Sequence, residues 1–286
     1  MAGRLNVRSV SLPSRSHPST LRIEEELNKL KNWEATTTST SGSICNGLSG
    51  LEELYICLDD LLNLTSNQQV VSYHQQEKSV EELLDGSVRI MDICGITRET
   101  MLQIREHIQA LQSTLRRRKV DSSIESNVAE YTCFRTKMKK NAKKFITVLK
   151  QMKNKFGEYP LLDQDHHLAS VIRVLREITI MNISIFQSLM SFLAVPVSKP
   201  KTTKWSMVTK LMHKGVIACE ENPENFNELQ SVDAALCNLG KYTASEVARD
   251  RLEDLRITVE SLENCLENVF RRMVKSRASL LNIVSH

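Results

Sequence analysis

Two stretches of this chain place their apolar residues at steps that alternate three and four for ten positions. The first is Ile124, Val128, Tyr131, Arg135, Met138, Ala142, Phe145, Leu149, Met152 and Phe156. The second is Leu252, Leu255, Val259, Leu262, Leu266, Val269, Met273, Ser276, Leu280 and Ile283. A 3.5-residue repeat sustained over that length describes a helix packed along a narrow seam with left-handed crossing. Each run departs from its pattern once, at Arg135 and at Ser276. Helix bundles and coiled coils share this geometry. We read the seams as packing inside one bundle, with a coiled coil to a second copy as the alternative.

Composition points the same way. Nine Gly and six Pro among 286 residues fall well below the roughly 12% of average usage. Aromatic residues make up 5%. A β-sandwich or barrel needs far more turn residues, and a nucleotide-binding α/β fold needs Gly-rich loops. The expected fold is therefore all-α: a multi-helix bundle with long heptad-patterned helices near 122–156 and 245–284. Residues 1–22, rich in Arg and Ser with no acid, read as a disordered arm; a transit peptide is the alternative. Residues 23–286 read as one domain, with a low-complexity linker, TTTSTSGS, at 36–43.

Between these landmarks the periodicity predicts further helices. One starts near Ser19, a candidate N-cap, and carries Ile23, Leu27 and Leu30. Another spans 44–64, and one or two more span 67–94. Gly86 there suggests a close helix contact or a bend. Gly95 is read as a helix stop and Thr97 as the cap of the next helix, which runs to about Lys119. A long apolar helix covers 165–195. Shorter ones lie near 204–219 and 224–239, the latter opened by Asn222-Pro223-Glu224.

The apolar helix has a second reading. From Ile178 to Ser198 no residue is charged, and that length suits a membrane span. Asn182, Gln187 and several hydroxyls are costly in lipid, and charges precede the run on the same helix. We read it as the central buried helix of the bundle, with a membrane anchor at 178–195 as the alternative.

Charge is unevenly spread. The chain carries a formal net charge of +4, but residues 23–115 sum to −9 and residues 116–156 to +10. Arg116, Arg117, Arg118 and Lys119 close one helix, and Lys137, Lys139, Lys140, Lys143 and Lys144 follow on the next with no acid among them. Such a face can hold an anionic membrane surface or an acidic partner. Sparse aromatic interleaving disfavours nucleic acid. The competing reading is a solvated face partly neutralised by the acidic segment. In the arm, Arg8-Ser9-Val10-Ser11-Leu12-Pro13 fits a phosphoserine ligand for 14-3-3 proteins, with Arg8, Ser11 and Pro13 as its key residues. A phosphate there would offer three acceptors to an Arg cluster.

No catalytic constellation emerges. The seven cysteines form no C-x-x-C pair. Cys57, Cys94 and Cys265 sit among apolar neighbours and read as core residues of a reducing compartment. Gly42–Ser49 has the glycine spacing of a phosphate loop, but Leu48 stands where the lysine belongs. Asp163, Asp165, His166 and His167 cluster without a further ligand at the four-residue step, so they read as a helix start. No metal, cofactor or catalytic residue is expected, and an unrecognised metabolite-acting enzyme is a remaining alternative. No apolar h-region follows the start, so no secretory leader is expected; the expected compartment is cytoplasmic, with endomembrane or nuclear location as alternatives.

Four segments together resemble one plant-specific family: VRSVSLPSRSHPSTLRIEEELNKL, LLDGSVRIMDICGITRETMLQIREHIQALQSTLRRRK, VIRVLREITIMNISIFQSLMSFL and LENCLENVFRRMVKSRASLLNIVSH. They lie in order along nearly the whole chain and resemble the Bypass-like proteins. The resemblance implies a plant protein, mostly helical, without recognised catalytic residues and associated with root and shoot development. The Arg8–Pro13 arm and Leu280-Leu281-Asn282-Ile283 are family-like features. The function expected is that of a non-enzymatic regulatory or scaffold protein. Its expected partners are proteins, 14-3-3 among them, with an anionic membrane surface or a second copy held through the heptads as further options.

Overall fold

The heptad seams become the two walls of a helical bundle. The computed structural model describes residues 18–36, 40–74, 78–117, 122–157, 166–196, 226–239 and 244–285. These form eight helices: α1 Pro18–Thr36, α2 Ser41–Leu62, α3 Thr65–Tyr73, α4 Lys78–Arg116, α5 Ser122–Gly157, α6 His166–Leu193, α7 Glu228–Leu236 and α8 Ala244–Ser285. No strand occurs among the described residues, and the fold is the all-α bundle expected.

Both seams face the chain's own helices. On α8, every seam residue from Leu252 to Ile283 is buried except Leu280, which is half-buried. The helix lies parallel to α2 and antiparallel to α4, the two elements it packs against most. On α5, Tyr131, Arg135, Met138, Ala142, Leu149, Met152 and Phe156 are buried, against α6 and α4. Ion pairs fix the α4–α8 register: Arg98 with Glu267, and Arg105 with Glu263 at 2.8 Å.

The apolar α6 lies inside this bundle, against α1, α2, α3, α4 and α5. Six consecutive residues, Met181 to Phe186, are buried, as in an interior helix that is apolar all round. Most of its polar residues are satisfied, although Gln187 Nε2 is buried without a partner among the described residues. Thr179 donates to the Leu175 carbonyl at 2.9 Å, and the Asn182 amide donates to Ile178 at 2.8 Å while its oxygen accepts from Tyr55. Among the described residues no helix is long and apolar enough to cross a membrane. The anchor at 178–195 is not found as a span: the helix ends at Leu193, and most of its side chains beyond Ile178 are buried in the core.

Glycines admit the remaining close approaches. A Cβ on Gly47 would meet the Trp33 indole at 2.6 Å, and one on Gly50 would meet Leu30 at 2.8 Å. These two positions let α1 lie down on α2, and Trp33 Nε1 donates to the Ser43 carbonyl at 2.7 Å to hold it there. Gly86 receives Phe156 of α5, whose Cζ lies 2.5 Å from where a Cβ would sit. The close contact suggested for Gly86 is thus present.

Several boundaries differ from the sequence expectations. Gly95 does not stop a helix, for α4 runs unbroken through it over 39 residues. Thr97 is not a cap; it is buried and donates back to the Ile93 carbonyl at 2.6 Å. Tertiary packing along α4 outweighs the roughly 1 kcal/mol a glycine costs. Residues 18–22 of the expected arm are helical, with Pro18 at the first position, where its missing N–H costs nothing. Residues 41–43 of the expected linker open α2, capped by Thr40, whose side chain accepts from Ser43 N at 3.3 Å. The helix expected over 224–239 is shorter; Asn227 caps α7 through a reciprocal capping box with Gln230. The helix expected at 204–219 lies outside the described residues.

Candidate functional site

The lysine-rich face arises from the seam on its opposite side. At 100° per residue, Tyr131, Arg135, Met138, Ala142 and Leu149 point inward on α5. Lys139, Lys140, Lys143 and Lys144, at one- and three-residue steps, must then point away. Lys137, Lys140, Lys143 and Lys144 are exposed and Lys139 is half-buried. None of these five has a carboxylate within ion-pair distance among the described residues, whereas Lys153 and Lys155 near the helix end do. Arg116 and Arg117 are exposed at the end of α4; Arg118 and Lys119 lie outside the described residues.

Among the described residues the acidic segment therefore neutralises only the far end of α5. Lys153 Nζ lies 2.6 Å from Glu34 Oε1 and 2.9 Å from Ser184 Oγ, and Ser184 donates to the same carboxylate at 2.7 Å. Burial works against the Glu34 carboxylate, but the hydrogen bonds from Lys153 and Ser184 outweigh it and hold its pKa below the ordinary value. Lys155 pairs with Glu82 at 3.6 Å. The triad joins α1, α5 and α6, so Lys153 ties helices together, while the five lysines upstream carry no such pairing among the described residues.

What keeps α5 in register is a buried polar site the sequence marked only as an imperfection. Arg135 is wholly buried, and its Nε and Nη2 reach the two oxygens of Asp233 on α7 at 3.1 and 2.8 Å. Tyr131, one turn earlier, donates its hydroxyl to Asp233 Oδ1 at 3.0 Å. Burial, reinforced by the Asp233 charge, holds the Tyr131 phenol well above its ordinary pKa, so it stays a donor. Arg135 Nη1 has no protein partner. A bidentate, planar pair of this kind is directional, and it ties the short α7 to α5. Ser276, the other departure, does the same on α8: it donates to the buried Asp59 of α2 at 2.6 Å, and Lys275 sits 3.0 Å from the second Asp59 oxygen. Asp59 and Asp233 each stand inside an apolar run, CLDDLL and VDAAL, and that was the one sequence signal available for them.

The other candidate residues are not assembled into a site. Arg8, Ser11 and Pro13 lie outside the described residues, as do Asp163 and Asp165; His166 and His167 begin α6. No group of three or more His, Cys, Asp or Glu among the described residues is placed to hold a metal. Gly47 of the rejected phosphate loop serves helix packing under Trp33. Cys57 and Cys94 are buried as expected, and burial pushes the Cys94 thiol up to about 12. Cys265 is not a core residue of that kind; it is half-buried on the α2–α8 seam beside Cys45 and Ser49.

No curated protein and no solved structure matches the chain. A family model described as Protein BPS1 matches residues 47–283, from the glycine beneath Trp33 to the last seam residue of α8. The Arg8–Pro13 arm lies upstream of that match. With most of its length covered, including α5, α6, α7 and both polar pins, the chain belongs to the Bypass family of BPS1 proteins.

Proposed function

We propose that this chain is a plant regulatory or scaffold protein that acts in root and shoot development by binding other molecules without transforming them. Its working surface is the lysine face of α5, and its target is an anionic surface, membrane or acidic protein, met in the cytoplasm. The observation that carries this reading is the contrast along one helix. Lys153 and Lys155 are consumed by Glu34 and Glu82, while Lys137, Lys139, Lys140, Lys143 and Lys144 have no acidic partner among the described residues. A rigid helix holds those charges at fixed spacing, so binding orders no backbone and loses little entropy. Family membership supports the developmental role.

The test uses the full chain with vesicles of phosphatidylcholine, with and without phosphatidylserine. Each basic residue near an anionic leaflet contributes about 1 kcal/mol. Reversing Lys139, Lys140, Lys143 and Lys144 to Glu is therefore expected to weaken vesicle binding by about a hundredfold or more, with the wild-type affinity falling steeply as salt rises. Equal binding by both proteins at low salt returns these lysines to a solvated face. A wild-type chain that ignores both vesicle types leaves an acidic protein as the target.

A further inference from the structure

Along the flank of the parallel α2–α8 seam, beside the buried Leu48, Leu262 and Leu266, runs a strip of small polar groups. Cys45 and Ser49, one turn apart on α2, face Ser261 and Cys265, one turn apart on α8. Cys45 Sγ lies 3.4 Å from Ser261 Oγ, one turn from Cys265 on α8, and the Cys265 and Cys45 thiols are near enough to interact electrostatically. Two thiols on different helices thus touch the same four-residue patch. Both are free and only half-buried, so a small oxidant reaches them. The other described cysteines lack this arrangement: Cys57 and Cys94 are buried inside α2 and α4, and Cys133 and Cys237 are exposed on α5 and at the end of α7.

We infer that Cys45 and Cys265 form an oxidisable dithiol, a site of reversible modification whose disulfide clamps the start of α2 to the middle of α8. The reaction balances with a low-molecular-weight disulfide such as oxidised glutathione. The Cys45 thiolate attacks one glutathione sulfur and expels the other as a thiolate. The Cys265 thiolate then attacks the Cys45 sulfur of the mixed disulfide, the second glutathione leaves, and the two thiol protons end on the two released glutathiones. Protein thiols are oxidised and one glutathione disulfide is reduced. Burial pushes the Cys265 thiol up to about 11, so closure by its thiolate speeds up as pH rises. The clamp joins positions 220 residues apart, and a link across so long a loop restricts the unfolded chain strongly.

The experiment treats the full-length protein with oxidised glutathione at mildly alkaline pH, alkylates the remaining thiols and maps disulfides by mass spectrometry. The expected result is a Cys45–Cys265 linked peptide within monomeric protein. The oxidised form should melt about 5 °C or more above the reduced form, reversibly with dithiothreitol. Cys45→Ser should remove both the linked peptide and the rise in Tm, and Cys265→Ser should trap glutathione on Cys45. Because serine is nearly the size of cysteine and both positions are only half-buried, these variants are expected to fold. The inference is overturned if Cys45 and Cys265 remain alkylatable while Cys133 or Cys237 carries glutathione.

Discussion

Asp233→Ala is expected to destabilise the protein by about 3–5 kcal/mol, because it strands a fully buried guanidinium. Arg135 is 0% exposed and Asp233 1%, so no solvent reaches in to screen the loss. Nη1 already lacks a protein partner, and removing the carboxylate leaves Nε and Nη2 in the same condition. Denaturant unfolding reads the cost, and amide exchange across 228–236 reads where it falls. α7 makes its buried polar contact to α5 through this one residue, so its protection should drop first. The companion variant separates charge from contact. Replacing the whole site with Tyr131→Phe, Arg135→Met and Asp233→Leu removes every buried polar atom together and should restore most of the lost stability. A cost below about 1 kcal/mol for Asp233→Ala would contradict a buried pair, since exposed pairs fall in that range.

Gly47→Leu is expected to cost about 2–3 kcal/mol, near the top of the range for overpacking. The neighbour is not a yielding side chain tip. Trp33 is held by its own hydrogen bond to Ser43, and two indole atoms lie 2.6 and 2.7 Å from the added Cβ. The element that gives way is α1, which packs on α2 and α6. With two tryptophans in the chain, a Trp205→Phe background isolates Trp33, whose fluorescence should shift to the red. Gly47→Ala supplies a test of sign. Helix propensity alone would stabilise it by about 1 kcal/mol; a net gain would mean the indole moves freely and α1 is loosely docked.

How far the sequence carried can be judged from these same residues. The seams on α5 and α8 were legible because a 3.5-residue repeat needs no knowledge of the partner. Arg135 and Ser276 were legible as departures from it. Their partners were not, because Asp233 and Asp59 lie 98 and 217 residues away and only the folded chain brings them together. Gly86 was read correctly as a close contact, yet Gly95 and Thr97 were misread. A glycine and a threonine mimic a stop and a cap locally, but here the long contacts of α4 with α5 and α8 carry the helix across them. The lysine face was visible as a charge run. Which lysines are consumed was not, since Glu34 and Glu82 reach Lys153 and Lys155 from α1 and α4.

One chain closes both of its heptad seams on its own helices and leaves the α5 lysines facing outward. Hydrogen exchange of the full-length protein, followed over a roughly hundredfold range of concentration, tests it most directly. A bundle closed on itself gives strong protection of the α5 and α8 amides that does not change with concentration. Protection of those two helices that rises as the protein is concentrated would mean that a second copy completes the seams, and would contradict it.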